Sequence, residues 1–260
     1  MAETFVTYER ADSVGYIVLN RPPANSYEIQ FMRQLNAAID QAQEDSGSNV
    51  VVVKSALEKF FSAGADIKAF TANSTADNMK MVQVAHDALA KMAQSPKIFI
   101  AAIGGHALGG GLEIALACDL RLAATGNYRL GLPEVTLGLL PGNGGTQRLS
   151  RLIGVNKALE LMITGQTLTP EQAEKVGIVN KIYPADSFMD EVEAFARNLA
   201  SGATKAISYI KKAVYEGFIM HIEAAMELER RLIEELFDSE DAKEGLQAFV
   251  EKRKPTFQGK

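Results

Sequence analysis

The stretch IFIAAIGGHALGGGLEIALACDLRLA, residues 98–123, decides how the chain is read. Its first six residues, Ile98 to Ile103, are all apolar, the pattern of a strand buried on both faces. Gly109, Gly110 and Gly111 then precede the apolar segment LEIALAC, so a short helix is expected from about Gly110 to Cys118. Leu120 to Ala123 reads as the next strand. A run this apolar also invites comparison with a membrane span. It carries His106, Glu113, Asp119 and Arg121, however, and charges facing lipid are costly. Strand, glycine loop, helix and strand instead make one unit of a layered α/β protein.

The same alternation continues outward. Val50 to Val53 is a run of β-branched residues and reads as another fully buried strand. Phe5, Val6 and Tyr8, then Val14 to Leu19, predict two strands around the polar turn Ala11 to Ser13. Ser26 is placed to cap a helix on which Ile29, Met32, Leu35, Ile39 and Ala42 recur at helical spacing. A helix is expected from about Met79 to Ala93, ending before Pro96, and Tyr128 to Leu130 reads as a short strand. Such alternation predicts parallel pairing. Past Leu140 the pattern is mostly helical. Thr169 to Gln172 forms a capping box with Pro170 at the first helical position, and Gly177 stops that helix. Ile178 to Ile182 offers a last small strand. Ile222, Met226, Ile233 and Leu236 mark one apolar face of a helix that is charged on the other.

The 260 residues carry 27 Lys and Arg against 32 Asp and Glu, a net charge of −5 with no basic arm. Nucleic-acid binding by phosphate neutralisation is therefore not expected. Cys118 is the only cysteine, which excludes an internal disulfide. The first sixteen residues, MAETFVTYERADSVGY, hold no basic segment followed by an apolar core, so no signal peptide is read and a cytoplasmic location is expected.

Three segments begin where a strand is expected to end, the usual place for ligands in α/β sheets. They are residues 62–68, residues 109–113, and residues 132–134 with 141–147. Consecutive glycines at a helix start let backbone approach a ligand, and the first N–H groups there lack intrahelical partners. The Gly110 N–H is thus a candidate donor to a developing oxyanion, with the Ala65 backbone as a second. The plainer alternative is that the glycines serve helix–strand packing. They do not fit the G-x-G-x-x-G spacing of a dinucleotide site. Glu113 could simply favour the helix dipole, but its neighbours Leu112, Ile114, Ala115 and Leu116 would raise its pKa, as a general acid or base requires. Glu134, beside Pro133, has similar surroundings. His86, His106, His221 and Cys118 lack metal-ligand spacing and read as structural. Met79, Met81 and Met92 read as helix packing, and Lys252 to Lys254 as a solvated basic turn, the alternative being a contact with ligand phosphates at a subunit boundary.

Taken in order, these segments resemble one family over essentially the whole chain. FSAGADIKAF (61–70), GGHALGGGLEIALACDLRLA (104–123) and LGLPEVTLGLLPGNGGTQRL (130–149) are similar to the coenzyme A, first-glutamate and second-glutamate segments of the enoyl-CoA hydratase (crotonase) family. NRPPAN (20–25) and EGLQAFVEKRKPTF (244–257) are similar to its usual ends. The resemblance implies a spiral of ββα turns, here residues 1–195 with the acyl-CoA site. A C-terminal helical region, 196–260, would build a trimer and then a homohexamer as a dimer of trimers.

By position, the resemblance makes Ala65 and Gly110 the oxyanion donors and Glu113 and Glu134 the two hydratase carboxylates. It lines the substrate site with Ala24, Ala63, Ala65, Asp66, Ile67, Lys68, Gly110, Pro133, Leu140 and Gly142. The implied reaction adds water across a 2-trans-enoyl-CoA to give a 3-hydroxyacyl-CoA, as in fatty-acid β-oxidation. Glu113 is assigned as base and Glu134 as acid. Coenzyme A, whose phosphates are that alternative contact for Lys252 to Lys254, is part of the substrate, and no other cofactor, metal, nucleic acid or membrane is implied. Leu130, Asn143 and Ser26 depart from residues common in the family, which bears on acyl-chain preference. The rival readings are a Δ3–Δ2 enoyl-CoA isomerase on the same scaffold and a non-catalytic acyl-CoA- or RNA-binding relative.

Overall fold

The computed structural model describes residues 3–260. Strand β1 (Val6–Ala11) turns through Asp12, at φ 54°, into the antiparallel β2 (Val14–Leu19). Helix α1 (Ile29–Glu44) follows, then β3 (Val50–Ser55), β4 (Phe60–Ser62), α2 (Ile67–Ala72) and α3 (Thr75–Gln94). Next come β5 (Ile98–Ile103), β6 (His106–Leu108), α4 (Gly110–Ala117), β7 (Leu120–Ala124) and β8 (Leu130–Gly131). Helices α5 (Gly145–Ile153), α6 (Val155–Thr164) and α7 (Pro170–Lys175) lead to β9 (Lys181–Tyr183). The chain ends in α8 (Phe188–Ala200), α9 (Thr204–Gly217), α10 (Ile222–Phe237) and α11 (Glu240–Glu251).

The strands make two sheets, ordered β1-β2-β3-β5-β7-β9 and β4-β6-β8, and every pairing after the first hairpin is parallel. Each of β3, β5 and β7 in the large sheet is followed by a short strand in the small one. These successive steps are the ββα spiral that the family resemblance implies. The period of the strands explains their composition. Val51 and Val53 join the core that includes Phe31, Leu35, Leu89 and Phe99, whereas Val50 and Val52 join a second core with Val192 and Ala196 of α8. A strand covered on both faces has no polar positions to offer.

Several boundaries differ from expectation. Ser26 does not cap α1; the helix starts from Glu28, with no side-chain cap. Tyr27 is held extended by a bridge to Ala65, which delays the helix. Helix α3 starts at Thr75, earlier than its apolar stripe implies, because Ser74 caps it by accepting from the Asp77 N–H. His106 to Leu108, expected as loop, is strand β6, and the strand read over Tyr128 to Leu130 is confined to Leu130–Gly131. The last strand lies at Lys181–Tyr183 rather than Ile178 to Ile182. The capping box at Thr169 and Gln172 is present.

Helix α10 buries Leu228 and Leu232, while Ile222, Met226 and Ile233 of the expected stripe point outward. No helix among the described residues is long and apolar enough to cross a membrane.

Candidate active site

Strand β6 delivers the chain to Gly109, whose φ of 53° and ψ of −130° suit glycine. Its N–H donates to the Gly131 carbonyl at 2.9 Å, tying the turn to β8. Every residue of α4 is buried. A Cβ on Gly110 would overlap the Tyr27 hydroxyl, and one on Gly111 would overlap the Ser62 carbonyl. A Cβ on Gly64, at φ 87°, would lie 3.0 Å from the Gly110 nitrogen. The glycines thus let the 62–66 segment lie directly on the start of α4.

That segment is pinned by its neighbours. The Tyr27 N–H donates to Gly64 O at 2.8 Å, the Asp66 N–H to Tyr27 O at 2.8 Å, and the Ala63 N–H to Ala24 O at 2.9 Å. Among the described residues, no group of the chain accepts the N–H of Ala65 or of Gly110. Ala65 and Gly110 line one cavity of about 790 Å³, together with Glu113 and Glu134.

Of the residues named from sequence, Ala63, Ala65, Ile67, Gly110, Pro133, Leu140 and Gly142 line this cavity. Asp66 and Lys68 line an adjoining groove of about 540 Å³ that shares Ala63, Ala65 and Ile67 and adds Arg21. Ala24 lines neither; it contributes the carbonyl that holds Ala63. An apolar chamber with carboxylates therefore opens beside a groove of mixed charge, where Arg21 and Lys68 stand with Glu3 and Asp66, and Arg21 pairs with Asp66 at 3.1 Å.

The two carboxylates sit differently. Glu113 is 1 % exposed, and its Oε1 accepts from the N–H groups of Asn143 and Gly145, each at 2.7 Å. Burial raises its pKa; those two bonds and the charge of Arg148 oppose the rise. Glu134 opens a 3₁₀ turn, and its buried Oε2 has no hydrogen-bond partner in the chain. Burial is the main cause that pushes its carboxyl up to about 7; a bond from its own backbone N–H opposes the rise, and the charge of Glu113 adds to it. Glycine gives each room: a Cβ on Gly145 would stand 2.9 Å from Glu113 Oε1, and one on Gly109 3.0 Å from Glu134 Oε1.

Some lining residues escape sequence reasoning. Met79 lines the chamber and is largely exposed, whereas Met81 and Met92 pack as expected. Tyr27 and Asn143 are buried polar residues in the same wall, and no spacing in the sequence marks them. Leu130 is buried in the core, away from the cavity, and Ser26 lines the adjoining groove. Cys118 is core, with its thiol pushed up to about 12 by burial. His86 contacts the Gly142 carbonyl, and His106 packs against Phe60 and Tyr128. No cluster of three or more potential metal ligands occurs among the described residues. In the basic turn, Arg253 pairs with Glu244 and Glu251.

A family model described as enoyl-CoA hydratase/isomerase matches residues 9–260. A probable enoyl-CoA hydratase of Bacillus subtilis is 38 % identical over 249 residues, 95 % of each chain. A short-chain-enoyl-CoA hydratase of Clostridium acetobutylicum is 36 % identical over 250 residues, covering 96 % of this chain and 95 % of that one. Among solved structures, the "Enoyl-CoA hydrates" of Geobacillus kaustophilus superposes with a TM-score of 0.96 at 43 % identity, covering 100 % of this chain and 98 % of that one. An enoyl-CoA hydratase from Bacillus anthracis gives 0.93 at 36 % identity, covering 98 % and 100 %. With most of its length matched by the family model and by these relatives, the chain belongs to the enoyl-CoA hydratase/isomerase family.

Proposed function

We propose that the protein is an enoyl-CoA hydratase that adds water to a 2-trans-enoyl-CoA and releases a 3-hydroxyacyl-CoA, a step of fatty-acid β-oxidation. One observation carries this above all: two carboxylates of opposite character share a cavity with two backbone N–H groups that no group of the chain accepts. The thioester carbonyl would accept from the N–H of Ala65 and Gly110, which stabilise the enolate. Glu113, ionised, takes a proton from water as the water oxygen bonds to C3. Glu134, protonated, gives its proton to C2. The product regains a saturated C2–C3 bond, and the two glutamates have exchanged protonation states. Coenzyme A enters as part of the substrate, its polar portion along the groove of Asp66, Ile67 and Lys68.

The same reading divides the chain at 195/196, inside α8, into a core and a C-terminal helical region, places it in the cytoplasm, and assembles it as a hexamer. Assembly is supported by Ile210, Val214, Phe218, Ile219, Ile222 and Met226, large apolar side chains left exposed along α9, α10 and their connection. Light scattering at micromolar concentration should report six chains; a monomer would overturn this part. The reaction itself is tested with crotonyl-CoA. Loss of the enoyl-thioester absorbance and formation of 3-hydroxybutyryl-CoA are expected. No hydration of crotonyl-CoA or longer 2-enoyl-CoAs, with conversion only of 3-enoyl-CoAs, would make the protein an isomerase.

A further inference from the structure

Two buried polar side chains in the chamber, unlike its exposed threonines, are placed to act in the scheme above but have no part in it. Tyr27 and Asn143 line it and are only 3 % and 6 % exposed. The Asn143 side-chain amide donates to the Tyr27 hydroxyl oxygen, while the Asn143 backbone N–H donates to Glu113 Oε1 at 2.7 Å. One residue therefore links the phenol to the carboxylate assigned as base.

The phenol is fixed from several sides. Its backbone pairs with Gly64 and Asp66, and its ring packs near Phe31 with centroids 6.3 Å apart. Its hydroxyl lies over Gly110, where a Cβ would overlap it. No described residue accepts the Tyr27 O–H, although a buried hydroxyl ordinarily finds an acceptor. Burial above all, and the charge of Glu113, hold the phenol protonated, so it remains a donor. The phenol thus lines the same chamber as Glu113 and Glu134, where the reacting water belongs.

We propose that Tyr27 orients the nucleophilic water by donating its O–H to the water oxygen, with Asn143 as the residue that positions the phenol. This rests on the hydratase assignment of Glu113 and Glu134. The water oxygen has two lone pairs. One forms the bond to C3, and the other accepts from Tyr27, which limits the water's rotation. The water proton goes to Glu113, the Glu134 proton goes to C2, and Tyr27 keeps its own.

The test compares two reactions of the full-length enzyme. Hydration of crotonyl-CoA needs the water. Exchange of the C2 protons of butyryl-CoA with D2O, followed by NMR, needs only a carboxylate and the oxyanion donors. Tyr27→Phe keeps the ring and should lower hydration kcat roughly tenfold, the scale of one hydrogen bond, with KM and C2 exchange within about twofold of wild type. Asn143→Ala keeps the backbone donor to Glu113 and should shift the same ratio in the same direction. The double variant should match Tyr27→Phe, because Asn143 acts through the phenol. Unchanged hydration in Tyr27→Phe, equal losses of hydration and exchange, or additive effects in the double variant would overturn the inference. Should Tyr27→Phe fail to fold, the hydration-to-exchange ratio of Asn143→Ala decides. A wild-type enzyme that exchanges butyryl-CoA protons but hydrates no enoyl-CoA would overturn the hydratase reading and this inference together. Hydration by wild type with an unchanged Tyr27→Phe ratio overturns this inference alone.

Discussion

Glu113 and Glu134 line one cavity but belong to two kinds of structure. Glu113 is on a helix whose every residue is buried, and two backbone N–H groups meet one of its oxygens. Glu134 starts a short 3₁₀ turn whose Val135 and Leu137, like Leu139 beyond it, are exposed, and one of its oxygens has no partner. Burial disfavours the charge of both. Glu113 is met by two donors from other residues, whereas Glu134 has only its own backbone N–H to favour the charge. The difference teaches how one apolar chamber can suit two carboxylates to the base and acid roles proposed above: the supporting backbone, more than the residue type, sets how easily each holds a charge.

The largest expected effect comes from removing either carboxylate. Glu113→Gln and Glu134→Gln keep side-chain shape, so each variant should fold, and each should lose about 10³-fold in hydration kcat, within the usual range for general acid–base groups. The comparison is sharpened by C2 exchange, which should depend on Glu134 far more than on Glu113. Equal losses of exchange in both variants would erase the division of roles. Near-wild-type hydration in either one would remove that residue from the reaction.

The contrast between these two sites also shows what sequence can and cannot reveal. Glu113 was legible because its apolar neighbours and three preceding glycines are contiguous in the chain. The buried strands were legible for the same reason: Val50 to Val53 and Ile98 to Ile103 carry their environment in their own composition. Of the small sheet only the strand near Leu130 was legible, because Phe60–Ser62, His106–Leu108 and Leu130–Gly131 are too short to show a period and are held by pairing with one another. The Asn143 and Gly145 donors to Glu113 lie 30 and 32 residues away, and Asn143 and Tyr27 are 116 apart. Local pattern carries no trace of such partners. Resemblance located the glutamates and the glycine helix, but it gave no reason to single out Tyr27.

A pH profile breaks or sharpens the comparison next. In the proposed scheme hydration needs Glu134 protonated and Glu113 ionised. The carboxyl of Glu134 is pushed up to about 7, so hydration kcat should fall as pH rises through that region, approaching tenfold per unit beyond it. On the acid side activity should fall as Glu113 takes up a proton, above the ordinary range for a glutamate because burial outweighs its donors. Glu134→Gln should remove the alkaline limb from its residual activity. An alkaline limb near pH 7 that survives in that variant would belong to another group, and Glu134 would not be the acid.

The smallest expected effect is on stability, and its sign follows from the same contrast. The carboxyl of Glu134 rises from 4.5 to about 7 on folding. Between those values the folded chain holds a proton that the unfolded chain has released, so stability declines as pH rises. The penalty is absent below the unfolded value and complete above the folded one. Glu134→Gln removes it, and so should gain on wild type as the pH goes from 4.5 to 8. Partial solvent access limits the gain to about 2 °C in Tm for a chain of this size. Glu113→Gln should gain less, since the N–H groups of Asn143 and Gly145 meet an amide oxygen there in place of a carboxylate. Thermal melts of wild type and both variants at pH 5 and pH 8 measure the two differences. Equal gains would mean that the donors to Glu113 do nothing to offset its burial, and the distinction between the two carboxylates would rest on position alone.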